Sequence, residues 1–150
     1  MNISKQALIL TLLAACCVFS NPSLADHTRT TKNAVSYRLG DIGPSGGKVY
    51  YLDESGQHGL EAQLKDEEGS LSWSDAVTAC AQHGTGWHLP TKTELGLLWE
   101  QKDLVGNFVS EYYWSSTVDE EGYAWFQTFG GSLKELEDTS ALGTRAIRSF

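Results

Sequence analysis

The stretch Gly84–Leu95, GTGWHLPTKTEL, constrains the fold of this chain more than any other. Gly84 and Gly86 supply the positive φ angles that close a helix and turn the backbone. Trp87 and Leu89 flank His88, the alternation of a short strand with one apolar face. Pro90 has no N–H and biases Leu89 away from helical angles, so the strand ends there. Thr91 then caps a second helix, and Glu94 three residues later completes a capping box. One short segment therefore joins two helices through the middle of a domain.

The flanking residues agree. Ser72 and Asp75 form a second capping box, and Trp73, Ala76, Val77, Cys80 and Ala81 recur at helical spacing, so a helix is expected up to Gly84. The next helix is expected from Lys92 to about Lys102, with Leu95, Leu98 and Trp99 inward and Lys102 favourably placed at the negative end of the macrodipole. Lys48–Leu52 and Gly59–Ala62 are β-prone and are separated by the turn residues Asp53–His58, which predicts a hairpin. Tyr112–Thr117, Tyr123–Phe129 and Thr144–Phe150 predict three more strands. The last has a period-two pattern, and its position at the end of the chain suggests that both ends of the domain meet in one sheet. The expected class is α+β: two helices on a small, mainly antiparallel sheet, with long loops at Val118–Gly122 and Gly130–Gly143. Gly46-Gly47 does not open a phosphate loop, because the G-x-x-x-x-G-K-[ST] pattern is missing and a strand follows instead of a helix. Histidines 27, 58, 83 and 88 lack zinc-ligand spacing. His58 reads as a locally bonded hairpin residue.

The first 25 residues carry one cation, Lys5, an apolar run from Ala7 to Phe19, and Ser23-Leu24-Ala25 as a small-residue cleavage site, the pattern of a signal peptide. A competing site, Leu13-Ala14-Ala15-Cys16, resembles a lipobox and makes Cys16 the alternative lipid anchor. Residues 26–36 are a polar leader, and 37–150 form the folded domain. The expected location is secreted, periplasmic or cell-surface, with lipid anchoring as the alternative and no membrane span. Cleavage after Ala25 leaves Cys80 as the one cysteine, on the apolar side of a helix, where a thiol acts as a small hydrophobe. It also leaves 10 basic against 19 acidic residues, a net charge of −9. Such a charge argues against nucleic acid and anionic membranes as partners.

The segments YRLGDIGPSGGKVYYLDESGQHGLEA, LSWSDAVTAC, GTGWHLPTKTELGLLW, YYWSST and TRAIRSF resemble, in order, the C-terminal domain family of the Legionella collagen-like adhesin (Lcl). The WHLPTKTEL block and the closing RAIR are similar to the wider C-type-lectin-like superfamily. The resemblance implies a secreted or surface module that binds ligands, with attachment to glycans, sulfated glycosaminoglycans among them. This chain lacks the family's collagen-like stalk and is acidic. Lys134, Arg145 and Arg148 are its best candidates for meeting a polyanion. The Glu-Pro-Asn or Gln-Pro-Asp and Trp-Asn-Asp motifs of calcium-dependent lectins are missing. Asp119-Glu120-Glu121 offers oxygen ligands for a hard cation, although solvation alone accounts for three adjacent loop acids.

These features suggest a non-enzymatic module that recognises an extracellular glycan or protein through loops 117–122 and 130–143, where a rigid sheet positions recognition residues. The alternative is a lipid-anchored structural or assembly protein of the bacterial envelope. The candidate ligand-binding residues are Asp119, Glu120, Tyr123, Trp125 and Gln127, with Tyr112 nearby; aromatics of this kind stack on sugars or anchor protein interfaces. No catalytic residue, cofactor or metal is assigned. The formylglycine-generating branch of the superfamily needs paired active-site cysteines, and the mature domain has one. Oligomeric state is left open.

Overall fold

Period-two alternation puts the neighbours Tyr113 and Trp114 on opposite faces of one strand, and each supplies a different hydrophobic core. The computed structural model describes residues 35–128, 133–136 and 140–150. The signal segment, Cys16 and the leader up to residue 34 lie outside them. In chain order the elements are β1 (Lys48–Leu52), β2 (Gly59–Ala62), α1 (Trp73–Gln82), β3 (Trp87–His88), α2 (Lys92–Glu100), α3 (Lys102–Val105), β4 (Tyr112–Val118), β5 (Ala124–Thr128), β6 (Leu133–Leu136) and β7 (Ile147–Ser149). The strands form two antiparallel sheets, ordered β1-β2-β7-β3 and β4-β5-β6. The class is α+β, as the sequence indicates.

Four details differ from the sequence-based expectation. There are two sheets where one was expected. The second helix breaks at Gln101, whose ψ of 15° leaves the helical region, so Lys102 opens α3 and does not close α2. The segment 130–143 is not all loop, because β5 templates β6 through the pairings Phe126↔Lys134 and Trp125↔Glu135. The last strand contains Ile147–Ser149 only. Its neighbourhood does join the two ends of the domain: the Tyr37 and Phe150 rings meet edge-on at 5.1 Å, and Gly59 exchanges two backbone hydrogen bonds with Phe150.

Between α1 and the β4-β5 sheet lie Ala76, Cys80, Trp87, Leu89, Trp114, Ala124, Phe126, Leu142 and Ala146. Trp73, packed against this layer, and the fully buried Trp114 satisfy their indole N–H groups on backbone: Trp73 donates to the Ser115 carbonyl at 2.8 Å and Trp114 to the Leu71 carbonyl at 2.9 Å. The second core gathers Tyr50, Leu60, Ala62, Leu95, Leu98, Val105, Tyr113 and Ile147 from β1, β2, β7, α2, α3 and β4. The joint sits between the cores. Trp87 and Leu89 point into the first, the Pro90 carbonyl accepts from Ser116 N at 2.7 Å, and Thr91 and Glu94 form the expected capping box.

Two buried charges fix the turns around this frame. The Glu61 carboxylate, fully buried on β2, accepts from Gly47 N at 2.9 Å and from Ser45 N at 3.1 Å. The glycine-rich turn that looks superficially like a phosphate loop thus cradles an anion belonging to the chain itself. The second is Arg145, 1% exposed, which donates from Nε to Asp66 Oδ1 at 2.6 Å, from Nη1 to the Gln63 carbonyl at 3.0 Å and from Nη2 to the Asn107 carbonyl at 2.7 Å. Its guanidinium carbon also lies 4.2 Å from the Phe108 ring centre. Asp66 in turn accepts from Tyr113 Oη at 2.6 Å and from Val109 N at 2.9 Å. Burial and then this carboxylate raise the pKa of the Tyr113 phenol, which stays a donor.

Candidate functional site

The β4–β5 hairpin projects the candidate residues at its closed end. Val118 pairs with Ala124, so Thr117 and Val118 belong to the strand and the turn proper is Asp119–Tyr123. The turn is held by Asp119. Its Oδ1 accepts from Tyr123 N at 2.7 Å and Glu121 N at 3.0 Å, while its backbone N–H donates to the Tyr123 carbonyl at 2.9 Å. This Asx-type bonding makes Asp119 a structural residue of the turn. Glu120 and Glu121 are exposed, and Tyr123 shows 40% of its surface to solvent beside the exposed Val118. Among the described residues no three His, Cys, Asp or Glu side chains are placed to hold a metal ion.

Trp125 and Gln127 lie on the face of β5 that α2 covers. Gln127 pairs with Tyr113, is 4% exposed, and lines a small recess with Leu95, Leu98 and Trp99. It cannot meet a ligand, and its place in the expected site is corrected on that ground. Alternation correctly puts Gln127 on the face opposite Phe126, but that face is not open to water. Trp125 is half-buried, and the Lys92 ammonium sits 3.2 Å from the centre of its ring, a close cation–π contact. Lys92 N donates to Thr117 Oγ1 at 2.9 Å, which ties the first turn of α2 to the hairpin. Lys92 and Thr117 join this candidate cluster; Lys92 was not among the expected residues, and Thr117 fell inside the expected 117–122 loop without a role of its own. One signal was present: a lysine in the first turn of a helix opposes the macrodipole and needs another partner.

The joint borders this cluster. Glu94 Oε2 accepts from Thr91 N and Thr91 Oγ1, each at 2.8 Å, and His88 Nε2 lies 3.5 Å away. The His88 contact and the Thr91 donors together hold the Glu94 carboxyl down to about 2, against the opposing effect of burial. The bond to Glu94 also raises the His88 pKa, which partial burial lowers and the Gly86 carbonyl supports.

Among the described residues considered for a polyanion, Arg145 and Arg148 do not form an open patch. Arg145 is consumed by its buried pair with Asp66, and Arg148 is half-buried on β7. Lys134 occupies β6, and its side chain lies outside the described residues. Of the loop 130–143, only 133–136 and 140–143 are described. His58 is exposed, and its carbonyl accepts from Asp53 N at 2.9 Å, a local hairpin role. Two further concavities exist. An open cleft of about 420 Å³ is lined by Lys65–Gly69, Asn107 and Val109, and a groove of about 190 Å³ lies between Leu39, Tyr51 and Leu97. No helix among the described residues is long and apolar enough to cross a membrane. Neither a protein-family model nor a curated protein matches the chain.

Proposed function

We propose that this chain is a non-enzymatic ligand-binding module of the bacterial envelope or exterior, with a C-type-lectin-like fold, that recognises an extracellular glycan or protein at the end of the β4–β5 hairpin. The observation that carries this reading is the placement of Tyr123 and Glu120 on a turn locked by Asp119, next to the exposed Val118 at the end of β4 and two residues from Trp125, which Lys92 covers. A turn locked in this way presents its side chains with little ordering cost on binding. Tyr123 is the open aromatic. Trp125 becomes available to a ligand only where Lys92 yields its ring face. Cys80 supports the non-enzymatic reading: burial pushes its thiol up to about 12, so it carries no thiolate near neutral pH.

The test is capture on a glycan array and on immobilised extracellular-matrix proteins, at low and high salt. The variants are Tyr123→Ala and Tyr123→Ala/Trp125→Ala. Capture lost in the double variant, with a melting temperature close to wild type, supports the reading. Capture unchanged in the double variant would remove the hairpin end as the site.

A further inference from the structure

Both ring nitrogens of His88 face acceptors. Nδ1 lies 2.9 Å from the Gly86 carbonyl, and Nε2 lies 3.5 Å from Glu94 Oε2. A neutral imidazole carries one N–H, so whichever tautomer forms, one nitrogen would present a lone pair to an oxygen. The imidazolium has two N–H groups and satisfies both acceptors at once. We propose that His88 is a proton-operated latch between β3 and the first turn of α2, closed as the imidazolium and loosened as the neutral ring.

The surroundings favour the closed form at acid pH. Glu94 is the facing carboxylate, already fixed by Thr91 N and Oγ1, and its low pKa keeps it charged while His88 is protonated. The other charged groups nearby come from β7 and α2. Arg148 approaches the backbone at Gly86, where a Cβ would lie 3.0 Å from its Nε, and its charge works against the imidazolium. The Lys92 ammonium is turned onto Trp125. The Tyr50 hydroxyl of β1, close enough to Glu94 to feel its charge, is neutral because burial and then Glu94 raise its pKa. One carboxylate and one carbonyl in contact thus outweigh a single guanidinium beside the turn. Since His88 has a raised pKa in the folded state, the stability it adds is fully present below the unfolded value near 6.5 and is lost as pH rises through the folded value. The latch holds the same helical turn that carries Lys92 over Trp125.

The experiment follows the His88 ring protons by NMR from pH 4 to 9 in wild type and Glu94→Gln, and measures melting temperature over the same range in wild type and His88→Gln. Glutamine at position 94 keeps a capping-box partner, so that variant retains the helix start. The wild-type midpoint is expected above the ordinary 6.5, falling back toward it in Glu94→Gln. Wild type is expected to melt above His88→Gln at pH 5, with the gap closing as the midpoint is passed. A His88 midpoint at or below 6.5, or a melting gap that is the same at pH 5 and pH 9, would overturn the latch.

Discussion

Arg145 ties together segments 63–66 and 106–113, both far from it in sequence. Its bonds reach Gln63, Asp66 and Asn107, and Tyr113 and Val109 join through Asp66. Replacing it with methionine leaves a carboxylate that is 4% exposed without its counter-charge. We expect a loss of about 3–5 kcal/mol in urea unfolding, with part of it recovered in the double variant Asp66→Asn/Arg145→Met. The sequence carried a hint of this burial. The alternation along Thr144–Phe150 places Arg145 with Ile147, which is fully buried, and only its charge suggested a surface role. Glu61, on β2, follows the same logic. Its Oε2 lies where a Cβ on Gly43 would stand, 2.5 Å away. Glu61→Gln would put amide hydrogens against backbone N–H donors, and a loss of about 1–3 kcal/mol is expected in the same assay. A local scan of residues 40–47 shows turn chemistry but gives no sign that the acid filling the turn comes from the next strand.

At the scale of elements, the helices were the most legible parts of the chain, because their caps are local. Ser72 and Thr91 each accept from the backbone N–H three residues on, as the residue spacing indicates. Strand β6 was not legible. Leu-Lys-Glu-Leu does not alternate, and it becomes a strand through its pairing with β5, a tertiary effect. Two predictions belong here. Gly96 lies inside α2 with open space where a Cβ would stand, so Gly96→Ala should raise stability by about 1 kcal/mol, read as an upward shift in the urea midpoint. The Glu94 carboxyl, held at about 2 against an ordinary 4.5, contributes stability that is present above 4.5 and lost as pH falls toward about 2. Acid titration should therefore show wild type losing its advantage over Glu94→Gln across that interval. An advantage that stays constant would mean the capping box does not depend on the charge.

For the whole molecule, the arrangement of two sheets and two cores explains which candidate residues the sequence could set at the surface. The turn at the hairpin end was legible because its turn residues and alternation are local. Gln127 was misplaced because α2 covers the second face of β5, which a strand pattern does not reveal. Lys92 and Thr117 are 25 residues apart and meet only once α2 has docked. The sheet order β1-β2-β7-β3 adds a constraint of another kind. Strand β7 lies between β2 and β3, so residues 147–149 occupy the interior of a sheet whose other strands all come before residue 89. Arg145, two positions earlier, closes its bonds over 79 and 82 residues of sequence. Neither the sheet nor the Arg145 cluster can assemble on a chain that has not yet reached this segment. The β1–β2 hairpin and the β4-β5-β6 sheet need nothing from residues 145–149, so the joining of β2 to β3 and the Arg145 cluster are the contacts that close last in chain order.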